Sequence, residues 1–279
     1  MNIARRQFIG QASLALAGAA LVPGLQAASP AIRFGTCMMG LEDAKLAGFD
    51  GAEVSAGNPA DRLEIADSAV RARYKEQMQK TGLPVSSLMM GVFNQCPLAT
   101  DPRGPAWLEQ GIEATHDLGA KVILVAFFGK GDLLDAQGKV KEAEVDSVVE
   151  RLKVAAPRAQ DAGVVLAIEN YLDARQNARI LERVNHPAVK LYYDCFNTGG
   201  TKGYDVPEEL RFLKDRVAQL HFKNGPKYLE NGQVKFESIA AAIKAIGYHG
   251  WIVLETSNPS KDRVADGRRN LEYARKLVI

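Results

Sequence analysis

Eight short apolar, β-branched runs recur along this chain, each followed by a longer segment of helical period, and that alternation constrains the fold more than any other feature. The runs are 32–37, 51–54, 84–90, 121–127, 164–169, 189–194, 217–221 and 251–255. Between them, Val145, Val148, Val149, Leu152, Ala156 and Ala159 recur at three- and four-residue steps, as do Ile239, Ala242, Ile243 and Ile246. Gly48, Gly82, Gly119, Gly163 and Gly247 each stand where a helix must end shortly before the next strand, the place for a left-handed cap. One repeated helix-to-strand turn implies parallel strands, and 122–126 and 164–168 are continuously apolar, as parallel strands buried on both faces must be. Eight such units predict an α/β chain closed into a (β/α)8 barrel. The 279 residues fit one barrel of this kind. An open doubly wound sheet would carry a Gly-rich phosphate loop after its first strand, and neither G-x-G-x-x-G nor a P-loop pattern occurs.

The segment 1–28 is set apart from this pattern. Arg5-Arg6-Gln7-Phe8-Ile9 precedes an uncharged, Ala-rich stretch at 12–25 and then Gln26-Ala27-Ala28. A basic region, a short apolar region and a small-residue cleavage site make a secretory signal, and paired arginines before Phe resemble a twin-arginine signal. The apolar stretch is short for a membrane span. The reading is therefore a signal peptide at 1–28 and a single barrel domain at 29–279, handled by the twin-arginine export machinery, periplasmic and without stable membrane association after cleavage. The leader holds two of the 35 Lys and Arg residues and none of the 33 acids, so the mature chain is electrically balanced. No global field attracts nucleic acid, which is not expected as a partner. Three scattered cysteines, Cys37, Cys96 and Cys195, exclude a disulfide scaffold.

In a closed parallel barrel, chemistry sits at the C-terminal ends of the strands. Four consecutive runs end in ionisable side chains: Glu169 on the fifth, Asp194 on the sixth, His221 on the seventh and Glu255 on the eighth. Burying three carboxylates and an imidazole without a partner is costly, and a divalent cation resolves their repulsion. An oxygen-rich set with one nitrogen suits Mn2+ first, with Mg2+, Co2+, Zn2+ and Fe2+ open.

Taken in order, Gly48-Phe49-Asp50-Gly51-Ala52-Glu53, Ile168-Glu169-Asn170, Tyr193-Asp194, His221-Phe222-Lys223 and Leu254-Glu255 resemble the motifs of the xylose-isomerase-like TIM barrels of the sugar phosphate isomerase/epimerase family. The resemblance runs through the whole mature chain. It implies that Glu169, Asp194, His221 and Glu255 hold one divalent metal ion, and that Glu169 and Glu255 are the catalytic acid and base on opposite faces of a carbohydrate substrate. A Lewis acid on the carbonyl side eases removal of the neighbouring proton by stabilising an enolate or enediolate. Return of the proton from the other face gives epimerisation, and return to the next carbon gives isomerisation. On a 3-keto-glycoside the same proton loss expels the group at C1, a lyase outcome, and export suits oxidised glycosides better than sugar phosphates. By analogy such barrels form dimers or tetramers.

The chain departs from better-known epimerases of that family at Tyr171, Asn197 and Asn224, so the sugar-binding shell does not carry over. Glu53 is assigned a polar contact at the rim, and Lys223 and Lys227 a solvated loop position. His116, His186 and His249 read as structural or exposed, and Cys195 as a packed thiol facing away from Asp194. Among Phe93, Trp107, Phe127, Phe128, Tyr171 and Tyr228, some are expected to wall the pocket. Two rival functions are a metal-dependent abasic-site nuclease, disfavoured by one strand-end histidine and balanced charge, and a non-catalytic exported sugar-binding protein.

Overall fold

A computed structural model describes residues 32–279; the proposed leader at 1–28 lies outside them. Eight parallel strands follow one another in chain order and close into a barrel: β1 (Arg33–Thr36), β2 (Gly51–Ser55), β3 (Val85–Met90), β4 (Val122–Ala126), β5 (Val165–Glu169), β6 (Val189–Asp194), β7 (Val217–Phe222) and β8 (Trp251–Leu254). Each agrees with the sequence pattern to within one residue at either end. Eight helices surround them: α1 (Leu41–Ala47), α2 (Ser68–Thr81), α3 (Gly104–Asp117), α4 (Glu142–Asp161), α5 (Ala174–Val184), α6 (Val206–Leu213), α7 (Phe236–Ala245) and α8 (Arg263–Val278). The five glycines expected at helix ends all have positive φ, from 63° at Gly247 to 94° at Gly48.

Two apolar layers hold this together. The larger lies between sheet and helices, where Val145, Val148, Val149, Leu152, Ala156 and Ala159 of α4 are all buried, as their spacing demands. The smaller fills the barrel interior with Val122, Leu124, Ala126, Ala167 and Tyr192. Alternation along each strand decides which side chain joins which layer.

The motif entering β2 is structural for most of its length. Asp50 accepts from the Phe34 backbone N–H at 2.8 Å through one oxygen and from Arg275 at 2.8 Å through the other, tying the α1–β2 turn to β1 and α8. A Cβ on Gly51 would lie 2.7 Å from both the Pro84 carbonyl oxygen and the Trp251 ring, so only glycine lets the three segments approach. Asn170, after β5, likewise works on the backbone: its carbonyl accepts from Leu172 N–H and its amide donates to Asn177.

Candidate active site

The register of the last four strands brings the expected residues together. Asp194 pairs with His221 across β6 and β7, and His221 with Val253 across β7 and β8. Counting by twos along the inward face, Ala167 leads to Glu169, Tyr192 to Asp194, Gln219 to His221 and Val253 to Glu255. His221 Nδ1 lies 3.2 Å from Glu169 Oε1, 3.5 Å from Glu255 Oε2 and 3.9 Å from Asp194 Oδ2. One potential ligand atom from each of the four lies within 4.8 Å of all the others. Glu169, Asp194 and His221 are buried, whereas the Glu255 side chain is 34% exposed and forms the open side of the cluster.

Asp194 is held from below. Its Oδ1 accepts from the backbone N–H groups of Phe196 at 2.7 Å and Asn197 at 2.6 Å, which start a π-helical turn at Phe196–Lys202. Turns of this wide type are frequent at functional sites. The other oxygen, Oδ2, is buried without a hydrogen-bond partner. A buried carboxylate oxygen that accepts no hydrogen bond, with the Lys223 ammonium 3.5 Å away and two more carboxylates and an imidazole around it, fits a divalent cation, whose charge would meet what the protein leaves unsatisfied. Burial pushes Glu169 up to about 7, against the pull of His221. Burial also raises Asp194, with Lys223 opposing. For His221 burial acts downward, but Tyr192, Glu169 and Glu53 outweigh it and hold the imidazole well above the ordinary histidine range. Lys223 follows the same logic, raised by Asp194 and Glu255 against its burial. Burial thus raises the two acids, and neighbouring negative groups raise His221 and Lys223.

Two residues differ from their expected places. Lys223 is no solvated loop lysine: its Nζ sits 3.1 Å from Glu255 Oε2 and 3.5 Å from Asp194 Oδ2. It follows Gln219 and His221 at period two and so still faces inward, a signal the sequence contained. Glu53 is not at the rim. Its side chain is fully buried beneath the cluster, with Oε1 3.3 Å from His221 Nε2. Cys37, two residues after the inward Gly35, joins them with its sulfur near both, and burial pushes its thiol up to about 12.

The remaining positions fall as their chemistry suggests. Cys195 is fully buried in the outer layer. Lys227 is exposed. His116 and His249 place Nδ1 near backbone carbonyls, at 2.8 Å from Ala162 and 3.1 Å from Gly247, and His186 Nδ1 accepts from Ala188 N–H. Phe93, Trp107 and Phe127 are core residues rather than pocket walls. Phe128 and Tyr171 meet edge to face at 4.9 Å beside the mouth, with the Lys202 ammonium 5.0 Å from the Tyr171 ring. Tyr228 lies away from the mouth, donating to Asp266. Asn197 is buried and its amide approaches Glu169 Oε1 at 3.5 Å. Asn224 braces the loop after β7, donating to the Leu229 and Val234 carbonyls and accepting from Val234 N–H.

Fold and cluster together define a closed parallel barrel that carries carboxylates and an imidazole at the mouth formed by its strand ends. The chain belongs to the xylose isomerase-like TIM barrel family, whose model matches residues 41–277. An L-ribulose-5-phosphate 3-epimerase from Escherichia coli is 27% identical over 249 residues, covering 81% of this chain and 84% of the relative. A 2-epi-5-epi-valiolone 7-phosphate 2-epimerase from Actinoplanes is 26% identical over 209 residues, covering 68% and 74%. Among solved structures, D-allulose 3-epimerase from Methylomonas superposes with a TM-score of 0.72 at 18% identity, covering 89% of this chain and 98% of that one. The 3-keto-D-glucoside 4-epimerase of E. coli does so with a TM-score of 0.71 at 17% identity, covering 88% and 98%.

Proposed function

We propose that this protein is an exported, divalent-metal-dependent carbohydrate isomerase or epimerase that removes a proton next to a carbonyl. The observation that carries the reading is the cluster itself: four side chains from consecutive strand ends with ligand atoms within 4.8 Å, and Asp194 Oδ2 accepting no hydrogen bond among them. Glu169, Asp194, His221 and Glu255 would hold the ion, Mn2+ first on the chemistry of the donor set. A divalent cation there supplies positive charge for the oxygen that becomes negative as the proton leaves. Glu169 and Glu255 stand on the first and last of the four strands, so a sugar entering the mouth lies between two carboxylates. One takes the proton, and the other is placed to return it from the opposite side. Lys223, on Glu255 and Asp194, holds these acids in place and presents an ammonium donor toward a substrate oxygen. The relatives named for phosphorylated sugars support an epimerase or isomerase reaction, and the proposed export favours a sugar without phosphate.

Solvent exchange tests the proposal whichever product forms. In D2O with Mn2+, a panel of ketohexoses, D-allulose and D-fructose among them, and a 3-keto-glucoside is expected to include one compound that takes up a single deuterium next to its carbonyl. Retained skeleton identifies epimerase or isomerase action; release of the C1 group identifies the β-eliminating lyase. Binding of a sugar with no exchange anywhere in the panel would leave the non-catalytic sugar-binding reading in front.

Residues 1–28 are proposed as a twin-arginine signal, with the mature protein periplasmic. Among the described residues no helix is long and apolar enough to cross a membrane. Joint replacement Arg5→Lys and Arg6→Lys is expected to keep the protein in the cytoplasmic fraction. Undiminished periplasmic recovery of the double variant would exclude this export route.

A further inference from the structure

The two nitrogens of His221 face different groups. Nδ1 looks into the cluster of Glu169, Asp194 and Glu255, while Nε2 meets Glu53 Oε1 at 3.3 Å on the opposite side. Which nitrogen carries the hydrogen decides whether the imidazole can ligate, because a nitrogen with a hydrogen has no lone pair to offer.

The network behind Glu53 gives the answer. Gln219 Nε2 donates to Ser87 Oγ at 2.7 Å and to Tyr192 Oη at 2.9 Å. With both oxygens already accepting from the amide, each hydroxyl has its own hydrogen free to point elsewhere. Both point at the same atom: Glu53 Oε2 accepts from Ser87 Oγ at 2.7 Å and from Tyr192 Oη at 2.9 Å. Glu53 is thus built as an acceptor, with Oε2 satisfied and Oε1 turned to Nε2, and the Cys37 sulfur lies beside the same pair. Every member of the network is buried. A carboxylate fixed in this way keeps a hydrogen on Nε2, and Nδ1 is then the nitrogen that faces the three acids and can ligate.

Resting on the reading of His221 as a ligand, we propose that Glu53 is a positioning residue for metal capture. It selects the Nε2–H tautomer of His221 and so presents Nδ1 to the ion. Partners of this kind typically govern metal affinity by about 10- to 100-fold. The isosteric change Glu53→Gln should reverse the polarity. Its amide oxygen takes the Ser87 and Tyr192 hydroxyls, its NH2 lies where Oε1 was and donates to Nε2, and the imidazole hydrogen moves to Nδ1, facing the cluster.

Mn2+ titration of metal-stripped protein by calorimetry, with wild type, Glu53→Gln and Tyr192→Phe side by side, tests this. Glu53→Gln is expected to bind Mn2+ about 10- to 100-fold more weakly. Tyr192→Phe removes one donor to Oε2 but leaves Oε1 on the imidazole, and should stay within about threefold of wild type by the same reasoning. Equal affinities for Glu53→Gln and wild type, or an equal loss in both variants, would overturn the assignment and reduce the network to packing. A wild type that binds no Mn2+ removes the ligand reading itself, a different and recognisable result. Imidazole 15N spectra of the Zn2+-loaded wild type need no variant to fold: the proposal requires hydrogen on Nε2 of His221, and hydrogen on Nδ1 refutes it.

Discussion

Replacing Glu255 by Gln is expected to slow deuterium uptake by the best ketose substrate about 10²- to 10⁴-fold, the range for loss of a positioned acid or base. Glu255 is the more accessible of the two glutamates: its side chain is 34% exposed, against 5% for Glu169. The amide keeps the volume and one oxygen, so the barrel and the other three candidate ligands are undisturbed. What it loses is the basic oxygen and the ion pair with Lys223 at 3.1 Å. That pair is partly open to solvent, where such contacts contribute up to about 1 kcal/mol, so folding should change little. Sugar binding, followed by calorimetry, should persist while exchange is lost, and this split separates an enzyme from a sugar-binding barrel. Exchange at the wild-type rate in Glu255→Gln would remove this carboxylate from the chemistry and, with it, the two-glutamate mechanism.

The strands were legible because parallel strands buried on both faces leave an apolar run that water-facing segments do not imitate, and because five of the eight follow a glycine cap. The four strand-end groups stood out for the same reason: an ionisable residue finishing such a run has no bland place to go. Glu53 stands inside one, just before its end, yet its partners Tyr192 and His221 are 139 and 168 residues away. Nothing local reveals which inward side chains reach across a closed barrel. Register adds to this, since the pairing slips between Ala52 and Glu53 on β2 and between Leu191 and Tyr192 on β6. Such irregularities re-aim side chains without leaving a mark in composition. Lys223 was hidden by a smaller matter, one extra residue of β7 that keeps the inward alternation going past His221. Asn224 replaces chemistry with architecture, since its side chain is spent on the backbone of the loop that ends at Val234.

His221→Ala carries the other large effect, and it acts on folding as well as on the metal. Elemental analysis of the wild type is expected to give about one divalent ion per chain, with the variant retaining almost none. The imidazole stands between Glu53 on one side and Glu169, Asp194 and Glu255 on the other, so it is the group that keeps four acids from facing one another. Removing one partner from a buried charged set destabilises by about 3–5 kcal/mol, because the remaining charges stay out of water with nothing to offset them. Denaturant unfolding of the two metal-stripped proteins should show that gap. Added Mn2+ should then widen it, since only the wild type gains stability from an ion bound to the folded state alone. The order of these results discriminates. Loss of metal with unchanged metal-free stability would mean the acids relieve themselves by taking up protons, in keeping with the raised position of Glu169. Undiminished metal in His221→Ala would place the ion elsewhere and end the case for this cluster as the centre of the reaction.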